Sequence, residues 1–276
     1  NANEIEIISD NIEILDNGKK IKSINTKAII EKEGLEIRGN QSLYDKDNQE
    51  VIFKKNVLFF DKIKNVYIET EEALYNKKKN ILNTSGKTKI ILEDNYKIIS
   101  NNVFYDRNLQ KIYSNYETTI NDQEGNIYNI QKKLIFDIKN EIVSSKNINI
   151  IDIDNNIYLF ENAKVNLASK EILGKEIRID FEDGYFGNKK NDPILKGRSA
   201  LSNKNQTKIY KTVFSTCNTE NKSCPGWSIE TEEFTHDKVN KVFNYKNSWL
   251  KVFDKEIFYF PFFSHPDPTV KRKSGF

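Results

Sequence analysis

Apolar and polar positions along the chain fall into a repeat. An apolar–aromatic step followed by a polar residue recurs at Leu43-Tyr44-Asp45, Leu74-Tyr75-Asn76, Phe104-Tyr105-Asp106 and Ile135-Phe136-Asp137, with a faded copy at Val165-Asn166. The anchor positions 44, 75, 105, 136 and 166 lie 31, 30, 31 and 30 residues apart, and Ile14-Leu15-Asp16 fits one unit earlier. Each unit reads as two strands joined by polar turns. After Tyr44 the pattern predicts a turn at Asp45-Lys46-Asp47-Asn48, a strand from about Glu50 to Phe60, a turn over Asp61-Lys62-Ile63-Lys64-Asn65 and a strand from Val66 to Tyr75. Further turns are expected at Ser85-Gly86-Lys87, Asp122-Gln123-Glu124-Gly125-Asn126 and Asp154-Asn155-Asn156. Asn, Asp and Gly suit such turns because they tolerate positive φ and bond their own backbone. The segments between are rich in Ile, Val, Tyr, Phe and Thr, which argues against helix.

Side chains alternate between the faces of a strand, so odd and even offsets separate two faces. Seven residues after each anchor stand Val51, Leu82, Ile112 and Val143; fifteen after it stand Phe59, Ile90, Ile120 and Ile151; one before the next anchor stand Leu74, Phe104, Ile135 and Val165. These odd offsets predict one shared apolar face. The even face is mixed, interrupted by Glu50, Lys89, Lys111 and Thr119. A sheet with one greasy and one wetted face follows. Phe53, Phe59, Leu82, Ile90, Ile112, Ile120, Val143 and Ile151 are the expected lining of an apolar groove; an ordinary sandwich core is the competing reading. Two folds satisfy the repeat, an antiparallel stack of hairpins bent into a V and a parallel β-solenoid. The long, charged, variable turns favour the antiparallel stack.

Composition narrows the function. Apolar residues make up 37% and charged residues 30% of 276, enough for a buried core. The 43 basic and 40 acidic residues are mixed along the chain, for a net charge of +3. A nucleic-acid binder concentrates its basic residues, and only Lys271-Arg272-Lys273 forms a short run. The chain has no Met, so trimming of a start residue is expected. No stretch approaches the roughly 20 apolar residues of a membrane helix. Catalytic chemistry finds little support: there are two histidines, His236 and His265, and no nucleophile-elbow, P-loop or dinucleotide fingerprint. Cys217, Cys224, His236 and His265 could be drawn as a zinc set, but six residues between the cysteines is not a usual zinc spacing. No enzyme activity, metal or cofactor is expected.

From Lys208 the character changes. Thr212-Val213-Phe214-Ser215-Thr216-Cys217 precedes Cys224-Pro225-Gly226-Trp227; His236-Asp237 follows, then Phe258-Tyr259-Phe260-Pro261-Phe262-Phe263, and the chain closes on Arg272-Lys273-Ser274-Gly275-Phe276. This ordered series resembles the LptD family of outer-membrane lipopolysaccharide-assembly proteins, also called organic solvent tolerance proteins. Phe214 stands where that family usually has Tyr. The 30-residue repeat resembles the V-shaped β-jellyroll shared by LptA, LptC and the periplasmic part of LptD. The resemblance implies an LptA-like (OstA-like) jellyroll over 1-249, facing the periplasm of a Gram-negative bacterium. It implies over 250-276 a connection into the first strands of an outer-membrane β-barrel, with Tyr259, Pro261, Arg272, Ser274 and Gly275 as the barrel-entry motif. Its implied partners are lipopolysaccharide, an LptA bridge protein docking on the strand edge near Ile5 to Ile14, and an LptE-type lipoprotein held through the barrel.

In LptD relatives a cysteine at the position of Cys217 bonds a distant one; a local Cys217–Cys224 bond is the alternative. Trp227 reads as core filler. Pro261, Pro266 and Pro268 read either as a loop or, by resemblance, as a weakened barrel seam. Two other functions fit the pattern less well. A soluble LptA-type bridge has no use for the tail motifs, and a repetitive β surface protein that binds other proteins would have a closed, dry interior.

Overall fold

The structure is a computed structural model that describes residues 5–93, 95–153, 155–180, 194–215, 226–266 and 270. Among them the chain is all β: the only helical segments are two three-residue 3-10 turns, Asp16–Gly18 and Glu31–Glu33. The chain divides into two compact units, Asn1–Ile142 and Val143–Phe276.

The first unit holds β1 (Glu6–Ile8), β2 (Asn11–Leu15), β3 (Lys20–Ile30), β4 (Leu35–Asp45), β5 (Glu50–Asp61), β6 (Val66–Asn76), β7 (Ile81–Leu92), β8 (Tyr96–Asn101), β9 (Phe104–Asp106), β10 (Lys111–Ser114), β11 (Thr118–Asp122) and β12 (Ile127–Asp137). Each long strand pairs antiparallel with the next, from β3 with β4 through β6 with β7. β8 and β9 together do the work of one strand, as do β10 and β11. The arrangement is an antiparallel β-jellyroll ladder, not a solenoid.

The repeat motif has a local cause. Its polar residue opens a four-residue turn by accepting the backbone N–H three positions on: Asn48 donates to Asp45 at 3.0 Å, Lys79 to Asn76 at 2.8 Å, Leu109 to Asp106 at 2.9 Å and Asn140 to Asp137 at 3.2 Å. The residue one further on takes positive φ, at Gln49 (53°), Asn80 (61°), Gln110 (53°) and Glu141 (52°). An Asx side chain at the first position thus specifies the turn without requiring glycine at the last.

Several long strands bend in their middle at residues of positive φ. In β5 the bend is at Lys55 and Asn56, both at positive φ; in β7 it is at Gly86 (φ 81°), and in β12 at Lys133 (φ 56°). Ser85-Gly86-Lys87, expected to be a turn, is therefore a corner inside β7. The corner is lined by buried hydroxyls that bond one another across strands. Ser23 and Ser42 lie 2.7 Å apart, Thr70 and Thr88 3.2 Å, and Ser100 and Thr118 2.7 Å. Small side chains with a donor and an acceptor fit where the backbone turns too sharply for a branched aliphatic and buried polar groups need partners.

The second unit repeats the scheme with β13 (Ile142–Ile151), β14 (Ile157–Asn166), β15 (Glu171–Asp180), β16 (Ile194–Ser202), β17 (Gln206–Ser215), β18 (Trp227–Asp237), β19 (Val242–Val252) and β20 (Lys255–Pro266). Antiparallel pairing runs from β14 to β20. In β15 the positive-φ residue is Glu176 (49°), and Gly174 leaves room for the Phe160 ring, which a Cβ there would meet at 2.2 Å.

Candidate functional site

Two rows of side chains run across the strands of the first unit and form its interior. One row passes from Val51 to Tyr75, Leu82, Tyr105, Ile112 and Phe136, each the register partner of the one before. The other passes from Ala28 through Ile37, Phe59, Ile68, Ile90, Ile98 and Ile120 to Tyr128. All of these side chains are buried. At the strand spacing of a sheet, eight partners in a row extend ~33 Å. The rows meet through their rings. Phe59 lies 6.1 Å from Tyr75 and 6.2 Å, edge-on, from Tyr105. The interior is thus one continuous apolar strip with two walls, one on each side of the corner.

The expected groove residues land as follows. Phe53, Phe59, Leu82, Ile90, Ile112 and Ile120 all lie in the first unit with 0% exposure, and Val143 in the second is equally covered. Ile151 is only half-buried, because Asn147 at φ 51° reverses the alternation and turns Ile148 and Ile150 inward instead. One part of the parity reading is overturned. Leu74 and Phe104 are half-exposed and Ile135 is 41% exposed, whereas the anchors Tyr75, Tyr105 and Phe136 face inward. Across a four-residue turn, partners such as Tyr75 and Leu82 differ in parity, so odd offsets do not stay on one face through a hairpin.

A buried ionic cluster, with no signal in the residue pattern, stands where turns from the two walls meet. Arg107, 5% exposed, donates from Nε to Asp61 Oδ2 at 2.7 Å, from Nη1 to Glu33 Oε2 at 2.8 Å and Asn80 Oδ1 at 2.5 Å, and from Nη2 to the Glu33 carbonyl at 3.0 Å. Tyr75 and Tyr105 complete it, their hydroxyls donating to Glu33 at 3.2 Å and to Asp61 at 3.2 Å. Burial, and then the adjacent Glu33 and Asp61 charges, push both phenols well above their ordinary range. They remain neutral donors. Burial works against the Arg107 charge, but the Asp61 hydrogen bond and charge outweigh it and raise its value. Farther along the same seam Tyr96 donates to Glu141 Oε2 at 2.6 Å, and burial followed by that carboxylate raises the phenol in the same way. Beside that bond opens a cavity of about 410 Å³ lined by Ile63, Lys64, Leu92, Glu93, Tyr96, Gln110, Phe136, Ile138, Lys139 and Glu141.

The two ends of the described chain differ from this closed interior. Among the described residues β1 and β2 pair only with β3, and Ile8, Ile12 and Ile14 are 50%, 49% and 68% exposed. At the other end β20 pairs with β19 and exposes Ile257, Phe258, Tyr259 and Phe262. Pro261 lies inside β20, not in a loop. Its place in the ladder is opposite Asn247, a residue at φ 52° that the register skips, so the missing N–H breaks no bond. Tyr259 donates to Asn247 Oδ1 at 3.0 Å, and its ring lies tilted, 5.0 Å from that of Trp249. Trp227 is half-buried at the start of β18, 6.2 Å from Phe214. His265 lies 3.1 Å from the Tyr245 hydroxyl. Cys217, Cys224, Pro268, Arg272, Ser274 and Gly275 fall outside the described residues, and the disulfide and part of the barrel-entry motif fall with them. No helix among the described residues is long and apolar enough to cross a membrane.

The sequence profile of the OstA-like protein family matches residues 25–171. No curated protein matches the chain.

Proposed function

The chain belongs to the OstA-like protein family, and from that premise we propose that it is a lipopolysaccharide-transport protein of the Gram-negative envelope. In this reading it works without catalysis, as the periplasm-facing part of an LptD-type outer-membrane translocon. It takes lipopolysaccharide from an LptA-type bridge on the β1–β2 edge and passes the acyl chains through its interior toward a barrel that begins after β20. An LptE-type lipoprotein would engage that barrel. The observation that carries the proposal is the pair of apolar rows, which run unbroken from Ala28 to Tyr128 and from Val51 to Phe136.

The physical need is large. Leaving a saturated chain of about a dozen carbons in water costs roughly 9 kcal/mol, at about 0.8 kcal/mol per methylene. With several chains per lipid, free diffusion across an aqueous compartment is negligible. A protein strip that repeats an apolar side chain at each strand removes that barrier while the sugars stay wet. The exposed aromatic strand β20 supports the barrel-side assignment, since an apolar edge of this kind invites a further strand.

The test is photocrosslinking with purified rough lipopolysaccharide. A benzophenone side chain at Phe59 or Ile120 should capture lipid, and one at Lys89 or Thr119, on the outer face, should not. Equal capture from both faces, or none from either, defeats the reading.

A further inference from the structure

The interior that the transport reading assigns to acyl chains has no exposed side chain along either row, so its two walls must part for a chain to enter. The walls are joined along the seam where the turns after β5 and β7 meet those after β9 and β12. Two polar clasps hold that seam. One is the Arg107 cluster with Asp61 and Glu33; the other is the Tyr96–Glu141 hydrogen bond of 2.6 Å. Beside the second clasp lies the 410 Å³ cavity, a volume in the range of small-ligand sites. Its lining changes with depth. Leu92 and Phe136, 2% and 0% exposed, belong to the core, and Phe136 is a member of the first apolar row. The rim carries Lys64, Lys139, Glu93 and Glu141, with Ile63 59% exposed. A mouth with a charged rim and an apolar floor continuous with the core matches an amphiphile: hydrocarbon inward, polar head at the rim.

The two clasps differ in strength. Arg107 makes four hydrogen bonds from a buried site, while Tyr96 and Glu141 share one. The seam therefore opens first at Tyr96. We propose that this cavity is a lateral port for acyl chains, gated by the Tyr96–Glu141 bond and hinged on the Arg107 cluster. Chains delivered by the bridge enter past Leu92 and Phe136 when that bond breaks. The proposal rests on the transport reading and adds to it the route of entry.

The experiment follows lipid capture at a benzophenone placed at Phe59 in the full chain, with purified rough lipopolysaccharide as probe. Tyr96→Phe keeps the ring, which meets Phe136 edge-on at 5.9 Å, and removes the clasp bond. Capture should become about 2- to 10-fold faster, the population change that loss of one net hydrogen bond allows. In a Cys217→Ser, Cys224→Ser background, Ile63→Cys and Ile138→Cys are bridged by a cleavable bismaleimide, which ties two turns of the seam together. Capture should fall at least tenfold and return when the linker is cleaved, the return showing that the locked protein is folded. Capture at Phe59 that neither the lock nor Tyr96→Phe alters would overturn the port while leaving the transport reading intact. No capture at Phe59 in any form would remove both.

Discussion

Arg107 Nε lies 2.7 Å from Asp61 Oδ2 although 46 residues separate them, and both side chains are almost fully buried, at 5% and 0% exposure. The pair ties the turn after β9 to the end of β5, along the seam of the first unit. It is supported by Glu33, Asn80 and two tyrosine hydroxyls, so neither charge is left with a single partner.

Arg107→Ala should therefore be among the most damaging single changes in the first unit. It leaves the Asp61 carboxylate buried without its cation, and breaking a buried pair costs about 3–5 kcal/mol. Urea unfolding would show it as a lower midpoint at unchanged slope. The double variant Arg107→Met, Asp61→Leu should recover much of the loss, because the fully buried Asp61 charge is then gone and only Glu33, a quarter exposed, still lacks its cation. A double variant as unstable as Arg107→Ala would show that packing at the turn, not charge pairing, sets the cost.

Acid should weaken the fold through Glu36. Burial pushes this carboxyl up, but hydrogen bonds and charge from Arg38, with Lys62 and Lys27, outweigh it and hold it below its usual 4.5. Lys62 lies at 3.4 Å and Lys27 at 3.6 Å. A carboxyl with a depressed folded value adds stability that is complete above its unfolded value and lost as pH falls through the folded one. The thermal midpoint should hold steady above about pH 5 and decline below it. Glu36→Gln should be less stable at neutral pH and decline less on acidification. An identical pH slope in the variant would place the acid sensitivity elsewhere.

Ile120→Asp should unfold the first unit. Ile120 has no exposure and is flanked in its row by Ile98 and Tyr128. An unpaired carboxylate there costs several kcal/mol, roughly the price of burying a polar group without a partner. Circular dichroism separates this from a wetted groove, in which the fold would survive the change. Ile151→Asp, at a half-buried position, should be tolerated far better, within about 1 kcal/mol of the parent.

A proline at Ile7 should act on partners more than on folding. Ile7 pairs with Ala28 in a three-residue edge strand, so little of the unit depends on it. Its outer edge is the expected docking line for the bridge protein through strand addition. Binding of an LptA-type protein, measured by calorimetry, should weaken at least tenfold while the melting temperature moves by only a few degrees. Unchanged binding would put the contact on another surface.

The strand ladder and its turns were legible in the residues alone. The Tyr-Asp and Phe-Asp steps mark turns because the Asx side chain bonds a backbone N–H three residues away, and that chemistry is local to the sequence. The apolar lining was legible within each strand, where alternation is a backbone property. It failed where that property is interrupted. Asn147 at positive φ turned Ile151 outward, and the four-residue turns exchanged the faces of Leu74 and Tyr75.

The corner hydroxyls and the Arg107 cluster were not legible at all. Ser23 and Ser42 are ordinary polar residues in a strand until the bend stacks them 2.7 Å apart. Arg107 looks like one more charged turn residue until Glu33, 74 positions earlier, is brought beneath it. Periodicity records which way a side chain points from its own backbone, and the sequence determined that much. Which distant turns meet, and hence where the interior is clasped and where it opens, depends on how two walls of one bent sheet close on each other, and only the tertiary structure decided it.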